Sequence, residues 1–174
     1  VYEGAAAQQE TQMVTRSILQ GLLSPVLRER VNMVNAELAA ETRGITVTEG
    51  KVKGEGRMNR VAVRIGAGKE SFTAAGMVTP DNQPHITEVE GYQFDTIPAP
   101  YMIFARNDDK PGMIGQIGTL LGAGHVNIAT MQVSRKKKEG TAMMVLTVDS
   151  AVDGATLEIV RNLDGISDAQ LVRL

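Results

Sequence analysis

The sequence predicts an α+β chain: helices packed on a mostly antiparallel sheet, followed by a ferredoxin-like βαββαβ module. Three observations predict it. The hydrophobic period changes from helical to alternating after Gly44. "DTIPAPYM" then interrupts the chain with Pro98 and Pro100, which continue neither a helix nor a strand ladder. Beyond that break the apolar segments read strand, helix, strand, strand, helix, strand. Two domains follow, residues 1–97 and residues 98–174.

The first domain opens on an apolar stub, Val1-Tyr2, an abrupt start expected of a fragment of a longer protein. A long helix is expected from about Gln8 to Leu23, with Met13, Ile18, Leu19, Leu22 and Leu23 as its inward stripe and Pro25 as its stop. A second helix is expected over Asn32–Thr42, with Val34, Leu38 and Ala39 inward and Gly44 closing it. "ITVTE", "RVAVRIG", "SFTAAGMV" and "HITEVEGYQF" then read as strands. In the second domain "YMIFA" is a strand, and "PGMIGQIGTLLGAG" is a helix with Ile114, Ile117, Leu120 and Leu121 on one face and Pro111 in its first turn. "VNIATMQVS" and "TAMMVLTVD" are strands, "GATLEIVRNL" is a helix capped by Asp153, and "ISDAQLVRL" is the last strand. Two helices cover one face of this sheet. Nothing within residues 98–174 remains for the other face, which must meet solvent or another module.

Composition excludes several classes of function. The net charge of −2 offers no general attraction to nucleic acid or to an anionic membrane. No apolar run approaches the ~20 residues of a membrane span, and "VYEGAAAQQET" lacks the order of a signal peptide. Without cysteine there are no disulfides and no thiolate metal sites, so a cytoplasmic protein is expected. The nine methionines read as adaptable core filler.

Most motifs fail on inspection. "IGAGKES" resembles a phosphate loop, yet Val63 stands where the Walker pattern needs its first Gly, and a strand-like segment follows in place of a helix. It reads as a hairpin turn. "GKVKGEGRMNR" has Gly54 and Gly56, but Asn59 replaces the third Gly of a dinucleotide fingerprint. His85 and His125 lack partners for a metal or a catalytic constellation, and each reads as a surface or cap residue. "SRKKKEG" reads as a solvated hairpin tip. Lys51, Lys53, Arg57, Arg60, Arg64 and Lys69 form a loose cationic set in which Arg60 and Arg64 share a strand face and could converge on an anion.

One segment survives. Asn107 and Asp109 stand where the first strand of the second domain ends, and Asn127 where the next strand begins. These positions are expected to meet in space beside the helix N-terminus. A carboxylate, amides and free backbone N–H groups are what an α-amino acid requires: acceptors for its ammonium and donors for its carboxylate. Gly112, Gly115, Gly118 and Gly122 cost the helix about 0.5–1 kcal/mol each if interior. Along one side of the helix they leave room for a ligand or a second subunit.

At these residues "NDDKPGMIGQIGTLLGAGHVNIATMQVSR" resembles the ACT domain, a small amino-acid-sensing module. "ILQGLLSPVLRERVNMVNAELAAETRGITVTE" and "ITEVEGYQFDTIP" resemble the intervening, allosteric substrate-binding domain of long-form D-3-phosphoglycerate dehydrogenases. The resemblance implies the C-terminal regulatory half of such an enzyme, catalytically silent by itself. The parent would oxidise 3-phosphoglycerate with NAD and be inhibited by L-serine. Effector contacts then fall on Asn107, Asp109 and Asn127, with Gly112 and Met113 offering backbone. The resemblance also implies a homo-oligomer through the ACT modules, and a phosphorylated acid at the intervening domain. "QPHIT" before "EVEGY" carries fewer cations than the resemblance leads one to expect at that second site. Rival readings are a regulatory subunit of acetohydroxyacid synthase, which would begin with an ACT module, the β-chain of an iron–sulfur serine dehydratase, and a free-standing amino-acid-binding module.

Overall fold

The computed structural model describes residues 1–52, 59–68, 70–137 and 140–174. The chain divides into two compact units, Val1–Ala62 and Val63–Leu174. Among the described residues no helix is long and apolar enough to cross a membrane.

The first unit begins with β1 (Tyr2–Glu3) and a 3-10 turn over Gly4–Gln8, then α1 (Gln12–Leu23), α2 (Ala36–Glu41) and β2 (Lys51–Val52). It ends in the first residues of β3 (Arg60–Ala67). β1 runs parallel to β2 and antiparallel to β3. α1 stops before Pro25 as expected, but its buried residues are Thr15, Leu19 and Leu23, while Met13 and Leu22 face outward. Polar ties select this face: Thr15 Oγ1 lies 2.6 Å from the Tyr2 hydroxyl and also donates to the Glu49 carboxylate. α2 is shorter than Asn32–Thr42. Asn32 Oδ1 accepts from the Asn35 backbone N–H at 3.1 Å, and Asn35 Oδ1 accepts from the Asn32 N–H at 2.7 Å. These reciprocal bonds form a capping box, and the Ala36 N–H donates to the Asn32 carbonyl at 2.9 Å, so a first turn opens at Asn32 ahead of α2. The inward residues are Ala36, Ala39 and Ala40, with Val34 and Leu38 outward. Gly44 adopts φ +69 as the closing residue. "ITVTE" is not a strand. Its Glu49 takes hydroxyl hydrogen bonds from Thr15 and Thr11, which hold that carboxyl below the usual range.

In the second unit the rest of β3 neighbours β4 (Glu70–Val78), followed by β5 (Pro84–Val89) and β6 (Tyr92–Thr96), with β4, β5 and β6 antiparallel. Of "IGAGKES", Ile65–Ala67 end β3 and Glu70–Ser71 begin β4, so strand and not helix follows. "HITEVEGYQF" folds back on itself at Glu90 (φ +53) and Gly91 (φ +76). Two successive left-handed residues make the two-residue hairpin turn that matches strand twist.

The C-terminal module follows as β7 (Tyr101–Asp108), α3 (Met113–Ala123), β8 (Ile128–Arg135), β9 (Thr141–Val148), α4 (Gly154–Arg161) and β10 (Ile166–Arg173). Its four-stranded antiparallel sheet has the order β10-β7-β9-β8. On one face Ile103, Ala105, Met144 and Leu146 pack against Met113, Ile117 and Leu121 of α3 and Leu157 and Val160 of α4. Ile114, expected inward, is exposed. The helix starts at Met113, and the i, i+4, i+8 row from Met113 is the one that faces the sheet. Pro111 lies outside the helix, and Gly112 caps it at φ +93. Asp153 caps α4 as expected, its carboxylate accepting from the Thr156 N–H at 2.7 Å.

The other sheet face is covered by the β5–β6 hairpin. Val89, Tyr92 and Phe94 form one buried cluster with Met102, Met143 and Val145. Another module does meet this face, and it lies in the same chain.

Candidate functional site

Asn107 ends the alternation of β7 on the helix-covered face and is 2% exposed. Its Nδ2 donates to the Asp108 carbonyl at 2.5 Å, while its Oδ1 is buried without a hydrogen-bond partner among the described residues. Such an acceptor costs about 1–3 kcal/mol unless something satisfies it. The chain then turns tightly: Asp108 N–H donates to the Gly165 carbonyl, Lys110 N–H to the Asp108 carbonyl and Asp109 N–H to the Gly140 carbonyl. These bonds fix the Asp109 carboxylate, which accepts from Arg135 Nη1 at 3.2 Å.

Gly112 and Met113 follow at the N-terminus of α3, where no side chain caps the helix. The first-turn N–H groups and the helix dipole therefore stay available to an anion. Lys110 closes the flank. Its Nζ lies 2.9 Å from Asp164 and 3.5 Å from Asp108, and the Asp164 contact holds its ammonium above the usual lysine range. Gly165 adopts φ +89, a left-handed conformation that favours glycine, and a Cβ there would also displace the flexible side-chain ends of Lys110 and Met113, 2.8 Å from Lys110 Cε and 3.1 Å from Met113 Sδ.

Asn127 does not join this group. Register places Asp108 opposite Thr141 and Ile128 opposite Val148, at the two ends of β9. β9 has eight residues, so at ~3.3 Å per residue the two ends lie about 23 Å apart. The expected meeting of Asn107, Asp109 and Asn127 within one chain fails for a simple reason. Strands joined by a crossover helix are parallel, so one ends where the other does not begin. Asn127 is exposed beside Asp149 instead. Its Nδ2 donates to Asp149 Oδ2 at 2.5 Å, and its carbonyl accepts from the Asp149 N–H at 3.1 Å.

The strand end that does lie beside Asp109 is the end of β8, and it carries Arg135, a residue read as part of a solvated tip. The parallel β7–β8 relation was the available signal for it. Lys136 of the same tip sits with Nζ 4.5 Å from the Tyr92 ring centroid. A Cβ added at Gly115, Gly118 or Gly122 of α3 would meet nothing within 4 Å. This side of the helix is open.

The cationic set is dispersed among protein acceptors. Lys51 Nζ donates to the Gln9 carbonyl at 3.3 Å, Arg60 Nη1 to Glu3 at 3.3 Å, and Arg64 Nη2 to Ser71 Oγ at 3.5 Å. Lys53, Arg57 and Lys69, with Gly54 and Gly56, lie outside the described residues. His85 pairs with Asp95, and His125 adopts φ +55 just after α3. Among the described residues no group of three or more His, Asp or Glu is placed to hold a metal ion.

Comparison with known proteins matches residues 1–90 to the D-3-phosphoglycerate dehydrogenase intervening domain and residues 101–165 to the ACT domain. D-3-phosphoglycerate dehydrogenase of Methanocaldococcus jannaschii is 34% identical over 174 residues, covering 100% of this chain and 33% of the relative. The Bacillus subtilis enzyme is 34% identical over 99% of this chain and 33% of its own length. That of Archaeoglobus fulgidus is 37% identical over 98% of this chain and 33% of its own. The chain thus spans about a third of the length of these relatives. With both domain matches in order along it, the chain belongs to the D-3-phosphoglycerate dehydrogenase family, as the regulatory region formed by the intervening and ACT domains.

Proposed function

We propose that the ACT module binds L-serine, or a closely related α-amino acid, and that binding feeds back on a parent enzyme oxidising 3-phosphoglycerate with NAD. The domains are proposed to divide at residues 97 and 98. The observation that carries the reading is the end of β7: the Asp109–Arg135 pair and the Asn107 Oδ1 left without a partner among the described residues stand directly before the N-terminus of α3, which no side chain caps. A zwitterion needs charges of both signs a few ångströms apart. Asp109 and Asn107 are acceptors for its ammonium, while Arg135 and the N–H groups at Gly112 and Met113 are donors for its carboxylate.

Asn127 reaches such a ligand from a second copy. β8 is an edge of its sheet. Two β8 edges set antiparallel would bring Asn127 of one copy beside Arg135 of the other, and the open glycine side of α3 permits close approach. A homodimer with serine at the junction is the arrangement proposed. Among the described residues β3 is followed by the strand β4, so "IGAGKES" does not open a helix that would receive a pyrophosphate. The NAD site is assigned to the remaining two-thirds of the relatives' length.

Isothermal calorimetry tests the reading. L-serine should bind and D-serine should not. Asp109→Ala and Asn127→Ala should each weaken binding about 10- to 150-fold, the loss of one hydrogen bond to a charged group. Equal affinity in wild type and both variants would place the site elsewhere, and binding of a different amino acid would sink the pathway assignment.

A further inference from the structure

We infer that Asp149 is a positioning residue of the effector site, turning the Asn127 carboxamide so that Oδ1, an acceptor, faces the ligand. This rests on the effector reading above and adds which atom of Asn127 acts and what aims it. An ionised carboxylate accepts hydrogen bonds and donates none. At 2.5 Å from Asp149 Oδ2, the group of Asn127 that faces Asp149 is therefore the amide nitrogen. The planar carboxamide then presents its oxygen on the other side. The backbone bond from Asp149 N–H to the Asn127 carbonyl at 3.1 Å couples the two residues where β9 ends and β8 begins, so the side chain is braced from two directions.

The consequence is specific. Asn127 is exposed, and a free asparagine there could offer either a donor or an acceptor by rotating about its terminal bond. With Asp149 in place it offers an acceptor. It therefore engages the ammonium or hydroxyl of an amino acid, leaving the carboxylate to Arg135 and the N-terminus of α3.

A polarity swap tests this. Asn127→Asp alone sets two carboxylates against each other, and L-serine affinity should fall at least about tenfold. Adding Asp149→Asn restores one donor between the pair and keeps an oxygen turned outward. The double variant should recover to within about threefold of wild type. If Asn127 instead donates to the ligand carboxylate, the double variant opposes carboxylate to carboxylate and stays weak, which overturns the inference. A structural role for Asp149 alone predicts recovered melting temperature without recovered binding, and overturns it as well. Should the variants fail to fold, wild type answers by NMR. With L-serine bound, the Asn127 side-chain N–H protons should remain protected by Asp149; their transfer to the ligand would refute the assignment. Failure of wild type to bind L-serine at all would refute the effector reading, and this inference with it.

Discussion

The two faces of the C-terminal sheet are built from the same strands and covered in different ways. One is roofed by α3 and α4, whose buried residues Met113, Ile117, Leu121, Leu157 and Val160 repeat at helical spacing. The other is roofed by a β-hairpin, through Val89, Tyr92 and Phe94. The apolar residues of β9 alternate between the two: Met144 and Leu146 to the helices, Met143 and Val145 to the hairpin. A strand buried on both faces reads as a continuous apolar run, as "AMMVLTV" does. Both roofs adjoin β7 in sequence, since residues 97–100 separate it from β6 and residues 109–112 from α3. The difference is that the helices belong to the βαββαβ repeat, whereas the hairpin stands before it, beyond Pro98 and Pro100.

The largest expected effects test whether both roofs carry comparable weight. Phe94→Ala should destabilise by about 3–5 kcal/mol and Leu146→Ala by about 2–5 kcal/mol, through lost burial and the cavity left behind. Urea unfolding monitored by circular dichroism measures both. A cost below about 1 kcal/mol for Phe94→Ala would mean that the hairpin rests on the sheet without sealing it.

Legibility follows the same division. The helix roof, the Asp153 cap and the order of the C-terminal elements were readable, because period and capping are local. The hairpin roof was readable to the extent that an uncovered apolar face demands a partner; which partner covers it is marked by no local period or cap. Val34 and Leu38 were misplaced because the small residues Ala36, Ala39 and Ala40 take the inward face and pack with Leu19 and Leu23 of α1, where hydrophobic period favours the larger side chains. At the proposed site, residue type and position singled out Asn107, Asp109 and Gly112, which the structure places together around the end of β7. Arg135 was read as solvated surface, and the structure adds that it also pairs with Asp109. The expected convergence on Asn127 failed on strand direction, an error that handedness and parallel pairing could have corrected.

An intermediate effect concerns how the hairpin is held. Gln132 of β8 uses its carboxamide as a strand would use a peptide group. Its Oε1 accepts from the Asp95 N–H at 3.0 Å, and its Nε2 donates to the Asp95 carbonyl at 2.5 Å. Gln132→Ala should cost about 1 kcal/mol, the net of two solvent-reachable hydrogen bonds. It should also accelerate hydrogen exchange at the Asp95 amide while leaving amides of α3 unchanged. Equal acceleration on both sides would show that the roofs open together.

Gly118→Ala sharpens the contrast from the outer side of α3. The glycine has open space around it, so alanine should raise stability within one chain by about 0.5–1 kcal/mol. The same methyl group stands on the side proposed to meet a second copy. Sedimentation should show weaker association even as the melting temperature at low concentration rises. If both quantities rise, the glycine side is not the interface.

The smallest effect is a pH dependence confined to the helix roof. The Thr156 N–H donating to Asp153 holds that carboxyl below its ordinary 3.8, since protonation would weaken the cap. A group with a depressed folded-state value binds its proton more readily when unfolded. Its contribution is therefore complete above the ordinary value and is lost as pH falls through the lower, folded one. Asp153→Asn keeps a good cap but cannot titrate. Over that acid window the variant should lose less stability than wild type, while at neutral pH the two should differ little. Wild type and variant falling in parallel with acid would mean that Asp153 does not couple this roof to pH, and that other carboxylates set the acid limit of the fold.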